Sequence, residues 1–135
     1  MKRFVPVRYA DLNARRKEAY NFHKVAARLA DFGYNSVLLS DDYGGADFLA
    51  VHADGTVLKV QLKSRFTLDR KYMDKDISIA FRTGRDVVVY DHDDAIERVH
   101  RAGKMTHTAS WTDAGSYTVN PFPRWARDLF ADCIL

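Results

Sequence analysis

The 135-residue sequence predicts one α/β domain, a β-sheet with helices laid against it. Three observations lead there. Near the start, Phe22, Val25, Leu29 and Phe32 recur at spacings of three and four, which draws an apolar stripe along a helix. The stretch GGADFLAVHADGTVLKVQLKSR (44–65) then reads as two strands around a turn, with further β-like runs beyond it. Last, a helical segment follows Pro121 and Pro123. With 47% hydrophobic residues the chain can fill one core, and no repeat, low-complexity tract or linker divides it.

A helix is expected over 11–32, capped by Asp11 or Asn13 and ended by Gly33 in a left-handed conformation. One turn back along its stripe stands Glu18, four residues before Phe22. It is either an exposed residue favoured by the helix dipole or a site residue at the sheet's edge. A strand follows over 34–39, then the hairpin, then strands over 77–81 and 86–90 split by Thr83-Gly84 as a turn. A short helix over 94–101, late strands over 106–111 and 116–119, and a closing helix over 124–131 complete the order.

The hairpin raises a question, because Asp47, Gln61 and Lys63 interrupt otherwise apolar strands. Side chains alternate across a strand, so a one-residue change of register moves every group to the other face. A two-residue Asp54-Gly55 turn would set Asp47 against Leu62 and mix polar with apolar groups on both faces. A three-residue loop, Ala53-Asp54-Gly55 with Gly55 left-handed, sets Asp47 against Gln61 instead. Phe48, Ala50, Leu58, Val60 and Leu62 then share one apolar face suited to the first helix, and Asp47, Gln61 and Lys63 share the other. Gly44-Gly45 leaves room there for a ligand or another backbone. The alternative is an Asp47–Lys63 ion pair on a solvent-facing sheet.

An aspartate beside a side-chain carbonyl offers hard oxygen donors suited to Mg²⁺ or Mn²⁺, and Lys63 can orient water or meet negative charge on an attacked phosphate. Glu18 can supply a second carboxylate. The net charge is +3, but the basic residues are concentrated: Lys59, Lys63, Arg65, Arg70, Lys71, Lys75, Arg82 and Arg85 outnumber Asp69, Asp74 and Asp76 between positions 59 and 85. Such a stretch is either a solvated face or a track for a phosphate backbone. Arg65, Arg70, Lys71, Tyr72 and Lys75, with Phe66 interleaved, are the candidate nucleic-acid contacts.

Other chemistry is less well served. In Asp91-His92-Asp93-Asp94 the residue types suit a metal, yet Asp93 at a strand-to-helix junction reads as a helix cap. His23, His52, His100 and His107 have no ligand spacing, and Ser64 and Ser110 lack an ordered His/Asp partner. The single cysteine, Cys133, excludes an internal disulfide, and no run is long and apolar enough for a membrane span or secretory leader. A soluble, cytoplasmic protein without a membrane partner is expected.

Asp47, thirteen residues, then Gln61-x-Lys63, behind a helix bearing Glu18, resembles the PD-(D/E)xK nuclease superfamily. More narrowly, EAYNFHKVAARLADFGY with the hairpin is similar to the Holliday-junction-resolvase-like and intron-homing-endonuclease-like branch, where a Q-x-K variant occurs, and the likeness spans about residues 15–90. The resemblance implies a restriction-endonuclease-like fold, a central mixed sheet flanked by helices, and metal-dependent cleavage of nucleic acid, double-stranded or branched DNA foremost. It implies Asp47, Gln61, the Leu62 carbonyl and Glu18 as ligands of Mg²⁺, with Mn²⁺ as substitute, Lys63 as the catalytic lysine, and a homodimer able to cut two strands. Two departures stand: no proline precedes Asp47, and Gln61 occupies the usual acidic position. The second also admits a nuclease fold that has lost its chemistry and serves as a nucleic-acid-binding or protein-interaction subunit.

Overall fold

The structure is a computed structural model that describes residues 3–135. Helix α1 (Ala14–Ala30) opens the fold after a single 3-10 turn at Tyr9–Asp11. Asn13 caps α1, its side chain accepting from the Arg16 N–H at 2.9 Å. Asp11 instead pairs with Arg8, so the helix begins three residues later than its earliest expected start. At the far end Gly33 has φ +88°, the left-handed conformation expected there.

Strands β1 (Tyr34–Tyr43), β2 (Ala46–His52), β3 (Val57–Leu62), β5 (Ile77–Thr83) and β6 (Asp86–Asp91) form a five-stranded sheet in the order β1-β2-β3-β5-β6. β3 and β5 run parallel while the other neighbours are antiparallel, so the sheet is mixed. β4 (Phe66–Asp69) leaves this sheet between β3 and β5 and pairs with β7 (Ser116–Val119) in a second, two-stranded sheet. Helices α2 (His92–Arg101) and α3 (Arg124–Leu129) complete the chain. Among the described residues no helix is long and apolar enough to cross a membrane.

Two cores lie on the two faces of the large sheet. Under α1, Phe22, Val25 and Leu29 meet Phe48, Ala50 and Val60 of the apolar hairpin face expected from register, with Leu58 and Leu62 partly buried beside them, and Ala80 of β5 and Val87 of β6. On the opposite face Ile77, Ile79, Phe81, Val88 and Tyr90 pack with Phe66 and Leu68 of β4, Ala95 and Val99 of α2, and Ala126 of α3. The alternation of Ile79, Ala80 and Phe81 between the two cores is the period-two rule at work in a strand covered on both sides.

Several expectations are corrected. Residues 106–111 are not a strand: the Thr108 hydroxyl donates to Met105 O at 2.8 Å and accepts from Trp111 N at 3.3 Å, closing a helical turn that runs on to Ala114. Residues 66–69, to which the local pattern assigns no element, form a strand because β7, far away in sequence, pairs with them. α2 is capped by Asp91, which accepts from Asp94 N at 2.8 Å, and not by Asp93. The turn after β5 is Gly84-Arg85, since Thr83 pairs with Asp86. Phe32, at the end of the apolar stripe, is 46% exposed and lies 5.2 Å from the Arg28 guanidinium, because α1 has already ended beneath it.

Candidate active site

The hairpin turn sets the site. His52 N donates to Thr56 O at 2.7 Å and Gly55 N to His52 O at 2.9 Å, with Gly55 at φ +93°, which closes the three-residue loop Ala53-Asp54-Gly55. Asp54 braces it, and hydrogen bonds from the Thr56 hydroxyl and then its N–H hold the Asp54 carboxyl at about 2. Phe48 pairs with Val60 and Ala50 with Leu58, the register that brings Asp47 opposite Gln61.

Asp47 is half-buried at the start of β2, and its Oδ2 accepts from Leu62 N at 2.8 Å. Burial is the main reason its pKa is raised; the Leu62 N–H and Lys63 act against this, while Glu18 and Asp42 add to it. Glu18 on α1 and Asp42 on β1 therefore share an electrostatic neighbourhood with Asp47. Gln61 turns its Nε2 toward the Leu62 carbonyl at 3.4 Å, a long contact that partly engages one expected oxygen donor. The Lys63 backbone N–H is fixed to Ala80 O at 2.9 Å across the parallel pair, and its Nζ lies 5.2 Å above the Tyr72 ring. Among the described residues neither Asp47 nor Lys63 forms an ion pair, so the alternative Asp47–Lys63 salt bridge is absent.

Glu18, Asp47, Gln61, Leu62 and Lys63 all line one cleft of about 790 Å³ between the start of α1 and the ends of β1 to β3. The same cleft is lined by Asp41 and Asp42, which the sequence motif does not single out. Their signal is nonetheless present in DDYGGAD: an acidic pair ahead of a two-residue Gly44-Gly45 turn is carried by that turn beside Asp47. Asp42 Oδ2 accepts from Gly45 N at 3.2 Å and so steadies the turn. The space at Gly45 is taken by Tyr72, whose ring would stand 3.4 Å from a Cβ placed there, whereas Gly44 faces open space.

The basic candidates separate. Arg65, Arg70, Lys71 and Lys75 are exposed on the segment that contains β4. Lys71 Nζ lies 5.1 Å from the Tyr72 ring, which brings it near Lys63. Arg70 stacks on Trp111 at 4.9 Å and supports Gly115, a packing role at the second sheet. The Lys75 carbonyl receives Lys59 Nζ at 2.7 Å. Tyr72 is corrected: at 6% exposure, edge-on to His92, it is a core residue beneath Lys63 and has no open face for a base. Phe66 is likewise fully buried, among Tyr90, Phe122 and Phe130.

His92 is fully buried and structural. Its Nε2 accepts from Asp69 N at 3.0 Å and its Nδ1 faces Asp93 Oδ1 at 3.2 Å, so the neutral ring with its proton on Nδ1 joins α2 to the end of β4. Burial lowers its pKa, with Asp93 acting against the shift.

Among the described residues no three His, Cys, Asp or Glu side chains converge tightly enough to hold a metal by themselves. A cation at this cleft would therefore draw on Gln61 or carbonyl oxygens, or on water, besides Asp47. The donor chemistry suits a hard cation: half-buried Asp47 carries the added negative potential of Glu18 and Asp42, and no ion pair relieves it. Comparison of the chain with protein-family models, with curated proteins and with solved structures finds no match.

Proposed function

We propose that this protein is a cytoplasmic, Mg²⁺-dependent endonuclease of the PD-(D/E)xK type with a restriction-endonuclease-like core, hydrolysing phosphodiester bonds in DNA. The observation that carries the reading is one cleft lined by Glu18, Asp47, Gln61 and Lys63, in which the carboxylate and the ammonium are left unpaired with each other. A structural salt bridge would have consumed both charges. Left apart, they suit a phosphodiester: an anionic pole for a cation and a cationic pole for the phosphate.

Asp47, Glu18, Gln61 and the Leu62 carbonyl are the groups that would hold Mg²⁺ or Mn²⁺, which when bound supplies Lewis-acid polarisation and a more acidic water. Asp47 is oriented for this by the Leu62 N–H, which occupies one lone pair of Oδ2 and leaves Oδ1 open. Lys63 is held above Tyr72, from where its ammonium can meet a phosphate oxygen. A homodimer accords with cutting both strands, and a monomeric mass by light scattering would count against that part.

The test is cleavage of labelled duplex, branched and single-stranded DNA with Mg²⁺ or Mn²⁺ by the native protein, Lys63→Ala and Asp47→Ala. Cutting by the native protein alone is expected. Full metal-dependent cutting by both variants would refute the assignment. One observation favours a second reading, a nuclease fold that only binds: Gln61 stands at the acidic position and its amide leans on the Leu62 carbonyl. Salt-dependent DNA binding with no cutting by any variant is the result that would select it.

A further inference from the structure

Beside the cleft, and sharing Tyr9, Asn21, Lys63 and Ser64 with it, lies a smaller pocket of about 130 Å³ completed by Arg82 and Gly84. Arg82, near the end of β5, is held from two other elements. Its Nη1 donates to Asn21 Oδ1 at 2.8 Å, and Asn21 Nδ2 donates in turn to the Tyr9 hydroxyl at 2.9 Å. The guanidinium lies 4.9 Å from the Tyr20 ring and 5.7 Å from the Tyr9 ring, and those two rings are 5.3 Å apart. The 3-10 turn, α1 and β5 thus converge on one side chain.

Arg82 has no carboxylate partner among the described residues. Its hydrogen bond to Asn21 and the flanking rings fix the guanidinium plane without neutralising it, and most of its N–H donors stay free. The surroundings add to the positive charge. Lys17 Nζ lies 5.4 Å from the Tyr9 ring and Lys24 Nζ 5.3 Å from the Tyr20 ring. Lys17, Tyr20, Asn21 and Lys24 recur at helical spacing, so α1 bears a cationic and aromatic stripe next to its apolar one. A planar donor fork held in place, unneutralised and flanked by lysines matches a phosphate.

We infer that Arg82, positioned by Asn21 and the Tyr9–Tyr20 pair, is a phosphate-binding subsite for the nucleic-acid strand whose neighbouring phosphate lies in the cleft. The identity of the anion as a backbone phosphate rests on the nuclease reading; the subsite itself rests on the geometry of Arg82. The strand then passes from Lys63 and Ser64 to Arg82 and along the Lys17 and Lys24 side of α1. That track differs from the β4-side track of Arg65, Arg70, Lys71 and Lys75.

The experiment is fluorescence anisotropy of 5′-labelled single-stranded and duplex DNA, and of RNA of the same sequence, in EDTA over a salt series. The native protein is compared with Arg82→Gln, Arg82→Lys, Asn21→Asp and the exposed control Arg101→Gln, and the arms show which nucleic acid supplies the phosphate. Removing one phosphate-binding charge lowers the slope of log K against log salt by about 0.7 to 0.9. Arg82→Gln is expected to show that drop and several-fold weaker binding, and Arg101→Gln to show neither. Arg82→Lys should keep the slope and lose affinity, because the charge stays and the fork does not. Asn21→Asp should lower the slope as Arg82→Gln does by pairing the guanidinium, which provides the same reading if the Arg82→Gln protein melts early. Native slope in both Arg82→Gln and Asn21→Asp overturns the inference, as does a native protein that binds none of the oligonucleotides. A lowered slope in a protein that never cleaves keeps the subsite and removes the nuclease reading; unchanged slope with full cleavage does the reverse.

Discussion

Gln61→Glu tests the balance of charge in the cleft. Register places residue 61 opposite Asp47, and directly opposed side chains in an antiparallel pair have Cβ atoms about 4.5 to 5.5 Å apart. Two carboxylates about 6 Å apart repel by roughly 0.7 kcal/mol at the dielectric of water and by about 3 kcal/mol at the value of about 20 that suits a protein surface. Asp47 is half-buried and already carries the field of Glu18 and Asp42, so the upper part of that range applies. The Gln61 amide stands 3.4 Å from the Leu62 carbonyl, too long a hydrogen bond for its removal to add much to the cost. In EDTA the variant should therefore be roughly 2 to 3 kcal/mol less stable than the native protein, at about 3 to 5 °C of melting temperature per kcal/mol for a chain of this size. The deficit should shrink as pH falls toward the carboxylate range, because mutual repulsion raises the pair's pKa and one proton relieves it.

Mg²⁺ should then narrow the gap. A ligand at ten times its Kd stabilises the folded state by about 1.4 kcal/mol, and a second carboxylate lowers the Kd, so the variant should gain more from Mg²⁺ or Mn²⁺ than the native protein does. Thermal melts with and without metal read both effects, and a cleavage assay reads the consequence. Equal stability in EDTA, or an equal gain from metal in the two proteins, would refute the placement of residue 61 beside Asp47 as a ligand position.

Other outcomes follow from the packing around the site. Tyr90 is buried, donating to Thr67 O at 2.7 Å and accepting from Thr67 N at 3.0 Å, so Tyr90→Phe leaves two buried backbone groups unmet and should cost about 2 to 4 kcal/mol in urea unfolding; a loss under about 1 kcal/mol would show that water replaces the hydroxyl. His92 has a lowered pKa, chiefly through burial, so its contribution to stability is complete above its ordinary value of 6.5 and is lost as pH falls from there through the lowered value. His92→Gln can keep the acceptor for Asp69 N without titrating, and it should lose less stability than the native protein between about pH 7 and 5; equal losses would place the acid sensitivity elsewhere. Gly45→Ala puts a Cβ in ordinary contact with the Tyr72 ring, 3.4 Å away, but at φ +92°, and this backbone strain should cost about 1 to 2 kcal/mol in thermal melts; unchanged melting would show that the turn accepts a side chain there.

The features legible in the sequence are local or governed by parity. The apolar stripe of α1 at Phe22, Val25 and Leu29 and the chain reversal at Gly33 are short-range facts of helical spacing and glycine freedom, and the structure keeps them. The hairpin register is legible because one face of β2 and β3 has to be apolar, and only the three-residue loop makes it so; the opposition of Asp47 and Gln61 comes with it. Tertiary packing decides whatever depends on partners distant in the chain. β4 is a strand only because β7 meets it, and Tyr72 is buried because Gly45, Ile77 and His92 close around its ring. Asp42 joins Asp47 through the β1–β2 turn, and Arg82 joins Tyr9, Tyr20 and Asn21 across three elements. A sequence pattern carries the period of its own element, whereas the direction and charge environment of a side chain are fixed by the neighbours that folding brings to it.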